Sequence, residues 1–413
     1  MGRYIVMDIV FYGGSLNYDQ GAGNYQELKK ITKWDGKQYT LVSRYALRYS
    51  LLKTGEELGL WKKIASETIL ERAGERKKTV IQPSIKALLS GEILTHPEFD
   101  LFGYLITGTT PQNSRESPVK ISHAISMTPY SYDCHLAGNL GYAKKMVEAG
   151  KAEKMEPNLF TIEEHLTYYI YTIVIDVDRI GKSEVYLAKK GGLSQNEESE
   201  GNVKVEEEKK GGKKKNIENI TIENGDLLIK YENEKKEEII HLDYKIEAKI
   251  NNNFEKLFAI EFSLKNLEEC KNRITDLIKT VLNLKRNIKA RSEDLQPKLL
   301  VLGIYKDASY QTFKDRIVLT NEYEEIYEEV RESKENGVKI LRRVVKLERP
   351  AFKIFGLSSS NIKPETINEK SIINVTDKLF DQKNSSLSEI HIYHAPEIKI
   401  LSYETSNKTT SLP

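Results

Sequence analysis

Residues 166–178, Leu-Thr-Tyr-Tyr-Ile-Tyr-Thr-Ile-Val-Ile-Asp-Val-Asp, constrain the fold more than any other stretch of this chain. β-Branched and aromatic side chains dominate the segment. Such side chains suit the pleated, half-buried surface of a sheet. Residues 4–12, Tyr-Ile-Val-Met-Asp-Ile-Val-Phe-Tyr, and 298–305, Lys-Leu-Leu-Val-Leu-Gly-Ile-Tyr, are shorter runs of the same kind and read as buried strands. Strand patterns return at 119–128 and 338–348. Two helical spacings lie between these runs. Residues 40–52 place Ala46, Leu47 and Leu51 on one stripe, with Ser43 as N-cap. The longest helical pattern covers 263–292 through Leu267, Ile274, Leu277, Ile278, Val281, Leu282, Leu284 and Ile288, with Pro297 past its end. The order predicts an α+β chain with a β-α-β-β-α-β core and long insertions.

The insertions have their own signatures. Residues 53–115 are charged and mixed, which reads as an insertion rather than core. Residues 189–216 alternate Lys-Lys-Gly-Gly with Glu-rich runs, and their apolar content is too low to offset the entropy of ordering. A mobile loop is expected there. Asn224-Gly225, between two apolar runs, predicts a hairpin turn. Residues 322–336 read as an acidic helix, and the last 50 or so as polar with weak periodicity.

Several functional classes are excluded or disfavoured. No run of about 18 apolar residues marks a membrane span. The start, Met1 to Asp8, lacks the marks of a signal peptide. Two cysteines, Cys134 and Cys270, point to a reducing cytoplasm. The histidines have no metal-ligand spacing, so neither a metal nor another cofactor is expected. Walker A and dinucleotide-binding glycine patterns are absent.

Net charge is only +2, but residues 271–316 hold 11 basic against 5 acidic side chains, which fits a basic groove on one face or, equally, an ordinary solvated surface. A polyanion needs close backbone approach, cations for its phosphates and flat surfaces for its bases. Segment 13–49 offers all three: glycines with Asn17 and Asn24; Lys29, Lys30, Lys37, Arg44 and Arg48; and Tyr39, Tyr45 and Tyr49. The amides at the helix start around Ser43 add donors. The competing reading is a flexible loop before an ordinary amphipathic helix. Lys285, Arg286, Lys289 and Arg291, placed at the end of the long helix, serve either its dipole or a second phosphate contact. Asp8, Asp19, Asp35, Asp133, Asp176 and Asp178 are the carboxylates available for acid–base or metal work, Asp176 and Asp178 sharing a strand face. His123, His135 and His165 with Cys134 form a weak nucleophile set, since sequence neighbours rarely place a thiol on its base.

Phe11-Tyr-Gly-Gly-Ser-Leu-Asn-Tyr18, Gly21-Ala-Gly-Asn24, Glu27-Leu-Lys-Lys30 and the run Asp35 to Arg48 resemble the start of the CRISPR Cascade backbone subunit, the seventh Cas family in its type I-B DevR branch. Asp100-Leu-Phe-Gly-Tyr104, Arg115 to Ser122 and Ile173 to Gly181 resemble it too. The likeness is dense over 5–181, looser over 263–305 and absent from the low-complexity stretch and the tail. It implies a ferredoxin-like (RRM-type) palm with finger and thumb lobes. The palm would comprise 1–52, 119–188 and 251–350, the finger 53–118, a possible thumb 189–250, and a tail 351–413. It further implies a non-catalytic CRISPR RNA-binding protein in which Ser43, Arg44 and Arg48 match the RNA-contacting helix, with Asn17, Asn24 and Lys37 in the loop before it. Expected partners are the CRISPR RNA, target DNA through guide pairing, further copies of the chain head-to-tail, and other Cascade subunits. The alternative is an RNA endonuclease of type III character using Asp19 or Asp35.

Overall fold

The computed structural model describes residues 2–21, 23–61, 69–73, 80–189, 217–232, 237–320, 350–357, 362–381 and 386–402. The expectations for the low-complexity stretch from 190 to 216, the acidic helix at 322–336 and the strand at 338–348 fall outside these residues. The chain divides into two compact units. One comprises Met1–Thr54, Ile121–Ile175 and Ile278–Pro413, the other Gly55–Lys120 and Asp176–Leu277. Many strands and few helices make the fold a mixed one, compatible with the α+β class.

The first unit is built on a sheet whose strand path is Glu365–Thr366, Leu387–His394, Leu299–Lys306, Arg3–Gly14, Leu166–Asp176, Ala124–Ser126, Gln38–Val42 and Lys30–Thr32. The first strand lies near its centre and pairs antiparallel with Leu299–Lys306, Met7 opposite Leu302. Residues Ile5 to Phe11 are all buried, so both strand faces are covered. On one face Phe11 stacks on Tyr169 with centroids 5.5 Å apart and meets the edge of Tyr171. On the other, Val10, Ile170, Leu299, Val301 and Ile392 pack with Phe313, Ile317, Phe352 and Ile354. Ile317–Thr320, Ala351–Ile354 and Lys399–Ser402 form a second, three-stranded sheet, which supplies three of those four residues. Each fully buried side chain of this size contributes about 1.5–3 kcal/mol of transfer free energy. Asp8 is the polar exception. It accepts bonds from the Thr172 hydroxyl at 2.5 Å and the Phe313 amide at 2.6 Å, and burial raises its carboxyl above the usual range.

The second unit has its own core around Leu88, Ile93, Leu94 and Leu101. The stretch expected to be mere insertion therefore contributes buried apolar area. A three-stranded sheet joins Lys182–Ala188, Leu257–Leu264 and Ile246–Asn251. The hairpin at Asn224-Gly225 is present, between strands Ile217–Glu223 and Asp226–Tyr231, with φ of 53° and 87° at the two turn residues. Positive φ at both positions matches the twist of the strands they join.

Four sequence expectations need correction. Residues 40–42 belong to a strand, because Gln38–Val42 pairs with Lys30–Thr32 on one side and Ala124–Ser126 on the other. The helix begins only at Arg44 and runs to Glu57. The 263–292 pattern is not one helix. The helix spans Leu267–Leu282, then Lys285–Ile288 and Arg291–Asp294 form a hairpin. Asn283 turns its side-chain amide back to the Lys279 carbonyl at 2.9 Å, and Lys289 takes a φ of 54° at the reversal. Hence Lys285, Arg286, Lys289 and Arg291 are not helix-terminal cations, and the dipole account of them lapses. The 119–128 strand is broken into Val119–Ile121 and Ala124–Ser126. The weakly periodic tail carries Leu387–His394, paired along its whole length with Leu299–Lys306.

Candidate nucleic-acid interface

The site grows from the end of the first strand. Ser15 turns the chain with a φ of 52°. Its buried hydroxyl donates to the Glu164 carboxylate and accepts the His165 amide at 3.1 Å. Asn17 then fastens the loop to the helix behind it: its Oδ1 accepts the Ser43 amide at 2.9 Å, and its carbonyl accepts the Lys29 amide at 2.9 Å. Ser43 caps the helix as expected, its Oγ accepting the Ala46 amide at 3.2 Å. A second cap was not legible in sequence. Nδ1 of His123 accepts the Arg44 amide at 3.0 Å, which requires that nitrogen unprotonated. Burial, with the charges of Arg44 and Lys314, lowers the His123 pKa and favours that form.

Arg286 locks the assembly. Nε donates to the Leu16 carbonyl at 2.7 Å, and Nη1 to the Ala46 carbonyl at 3.2 Å and the Ser50 hydroxyl at 3.0 Å. The hairpin, the loop and the first helix are thereby held as one body. Arg291 adds a bond to the Ser15 carbonyl at 3.1 Å, a contact with the Tyr18 hydroxyl at 3.4 Å and an ion pair with Glu164 at 3.4 Å. Glu163 holds the loop's return. It takes the Lys30 ammonium at 2.7 Å, the Leu28 amide at 2.8 Å and the Tyr25 hydroxyl at 2.6 Å. Lys30 also meets Glu27 at 3.0 Å. Arg286 and Lys30 thus turn their cations toward protein acceptors. A Cβ on Gly21 would stand 1.9 Å from the Tyr25 carbonyl oxygen, so that glycine serves a close approach of the chain to itself.

Two of the remaining cations lie exposed beside aromatic rings. Arg44 is exposed and lies over the exposed Tyr45 ring at 5.0 Å. Lys289 is exposed, 3.8 Å over the Tyr18 ring. Lys37 and Lys285 are exposed, and Arg48 is half-buried. Lys29 pairs with Asp19 at 3.3 Å, and Asn24 is an exposed loop residue whose carbonyl accepts the Thr161 amide. The loop and helix start therefore carry exposed cations with tyrosine rings beside two of them, Arg44 and Lys289, which suits phosphates and bases without reading sequence.

Of the candidate carboxylates, Asp8, Asp19 and Asp35 are engaged by protein partners. Asp35 accepts the Tyr39 hydroxyl at 2.8 Å and the Lys37 amide at 3.0 Å. Asp176 ends a strand and Asp178 lies in the single turn Val177–Arg179, so the two do not share a strand face. Cys134 contacts the Tyr132 hydroxyl at 3.0 Å, while His135 lies 3.9 Å from Glu164. Among the described residues no three His, Cys, Asp or Glu side chains group to hold a metal ion. No helix among them is long and apolar enough to cross a membrane.

Residues 5–327 match the family described as CRISPR-associated negative auto-regulator DevR/Csa2, and the chain belongs to that family. No curated protein matches the sequence. Two solved structures are similar at a distance. One, described as a CRISPR RNA-guided surveillance complex, pre-nicking, is 8% identical with a TM-score of 0.39, covering 75% of this chain and 80% of that one. The other, described as a CRISPR RNA-guided surveillance complex, is 10% identical with a TM-score of 0.39, covering 92% of this chain and 100% of that one.

Proposed function

We propose that this protein is the CRISPR RNA-binding backbone subunit of a cytoplasmic type I-B Cascade complex and has no catalytic role of its own. The observation that carries the reading is the two exposed cations Arg44 and Lys289, each beside a tyrosine ring, on a body fastened by Asn17 and Arg286. Family membership supports the CRISPR context. The sheet order Leu299–Lys306, Arg3–Gly14, Leu166–Asp176, Ala124–Ser126 supports a ferredoxin-like palm, with helices in sequence after its first and third strands. The face lined by Val10 and Val301 is packed under apolar side chains, so the guide would run along the loop and helix edge rather than across the sheet. Phosphate contacts hold any spacer sequence, and pairing with target DNA would do the reading. Identical subunits repeating head-to-tail build an open helix. Against an endonuclease, Asp19 pairs with Lys29 and Asp35 anchors its own turn.

The test is RNA binding by fluorescence anisotropy over a range of salt. Replacing Arg44 and Arg48 together by Glu should weaken binding to all sequences alike and flatten the salt slope by about 2. Wild-type affinity and slope in this variant would refute the assignment. Metal-dependent cleavage abolished by Asp19→Ala or Asp35→Ala would establish the endonuclease instead.

A further inference from the structure

Trp34 is 98% exposed, the most exposed large apolar side chain among the described residues. It does not sit on a loose loop. The Gly36 amide donates to the Lys33 carbonyl at 3.0 Å and the Lys33 amide to the Lys37 carbonyl at 3.1 Å. Asp35 ties the same turn through the Lys37 amide and the Tyr39 hydroxyl, and the Lys33 ammonium lies 3.9 Å over the Tyr39 ring. The turn thus joins strands Lys30–Thr32 and Gln38–Val42, and its geometry leaves the indole in water.

We infer that this turn is a base-stacking site for single-stranded nucleic acid, with Trp34 as the platform and Lys33 and Lys37 as the flanking phosphate contacts. The inference rests on the RNA-binding reading above and extends it to a second element. Three features favour a nucleobase over a protein partner. The indole is flanked by Lys33 and Lys37, whereas a protein-binding anchor usually sits in the middle of an apolar patch. The one acid in the turn, Asp35, is directed to the Tyr39 hydroxyl and a backbone amide. The strand Gln38–Val42 also runs straight from the turn to the Ser43 cap. Five residues at ~3.3 Å each put the two about 17 Å apart, a span that a few nucleotides of extended strand cover. Stacking on an aromatic ring tolerates any base, so this contact adds affinity without sequence preference.

The chain reports on the site itself, since it has two tryptophans and Trp61 is only 4% exposed. Titrating the full chain with an oligouridine should quench and blue-shift the exposed component of the emission, and Trp34→Leu should lack that change. Trp34→Leu should bind the oligouridine about tenfold more weakly by anisotropy, and Trp34→Phe should recover most of the loss. Its melting temperature should equal wild type, because the side chain packs on little. Oligouridine binding with unchanged emission and undiminished affinity in Trp34→Leu would overturn the inference and leave the RNA-binding reading standing. Absence of any RNA binding would remove both. An emission change on self-association without RNA would assign Trp34 to a protein contact and overturn the inference.

Discussion

His165 shows how much a residue's surroundings decide. Its Nδ1 lies 2.7 Å from the Thr40 hydroxyl and its Nε2 3.3 Å from that of Thr128, with the rings of Tyr130 and Tyr169 edge-on. No carboxylate partners it there, and burial alone lowers its pKa from the ordinary 6.5. A histidine kept neutral in this way contributes stability that is fully present above about pH 6.5 and is lost as the pH falls through the lowered value. The thermal midpoint should therefore drop between pH 7 and 5, and His165→Gln should drop less over that interval. An unchanged slope in the variant would show that His96 and His123, whose pKa values burial also lowers, account for the dependence. At this scale the sequence showed residue types but not assignments. Arg44 and Arg286 look alike in sequence, yet one lies exposed and the other is committed to Leu16, Ala46 and Ser50. Only the contact set separates them.

Between elements, the second unit depends on a buried charge cluster. Asp100 is fully buried on the short helix Pro97–Phe102. It receives Arg115 at 2.6 Å, Arg273 at 2.5 Å and the Gly181 amide at 2.9 Å. Three segments distant in sequence are thus fixed to one carboxylate. Asp100→Ala leaves two buried guanidinium groups uncompensated and should cost about 3–5 kcal/mol in denaturant unfolding. A loss below about 1 kcal/mol would mean that Glu269 and the backbone carbonyls near Arg273 suffice. Strands with continuous β-branched and aromatic runs were legible, since Arg3–Gly14, Leu166–Asp176 and Leu299–Lys306 follow the pattern closely. The hairpin after the long helix was not. Leu284 and Ile288 continue a helical spacing by coincidence, and Leu284 is buried beyond the helix end, against neighbours that local sequence does not name.

For the molecule as a whole, the open question of assembly turns on an apolar surface. The hairpin of Cys134–Gly138 with Leu159–Glu163 and the helix Leu140–Glu148 between its strands expose Leu136, Leu140, Tyr142, Met146 and Leu159. Clusters of this kind usually mark a protein contact. On the proposed function the contact is the next copy along the guide. Replacing Leu136 and Tyr142 by Glu should leave binding to a short oligonucleotide unchanged but prevent several copies from loading on a long one, read by light scattering. Normal loading by that variant would place the contact elsewhere.

The sequence by itself determined the principal strands, the Ser43 cap, the Asn224-Gly225 turn and the cationic, aromatic character of segment 13–49. These follow from side-chain shape, spacing and charge, which are local properties. The tertiary structure alone decided which cations face water, that both faces of the first strand are covered, and that the tail supplies a strand. Each of those depends on segments distant in sequence meeting, as Arg286 does with Leu16 across 270 positions. No local periodicity encodes such a meeting.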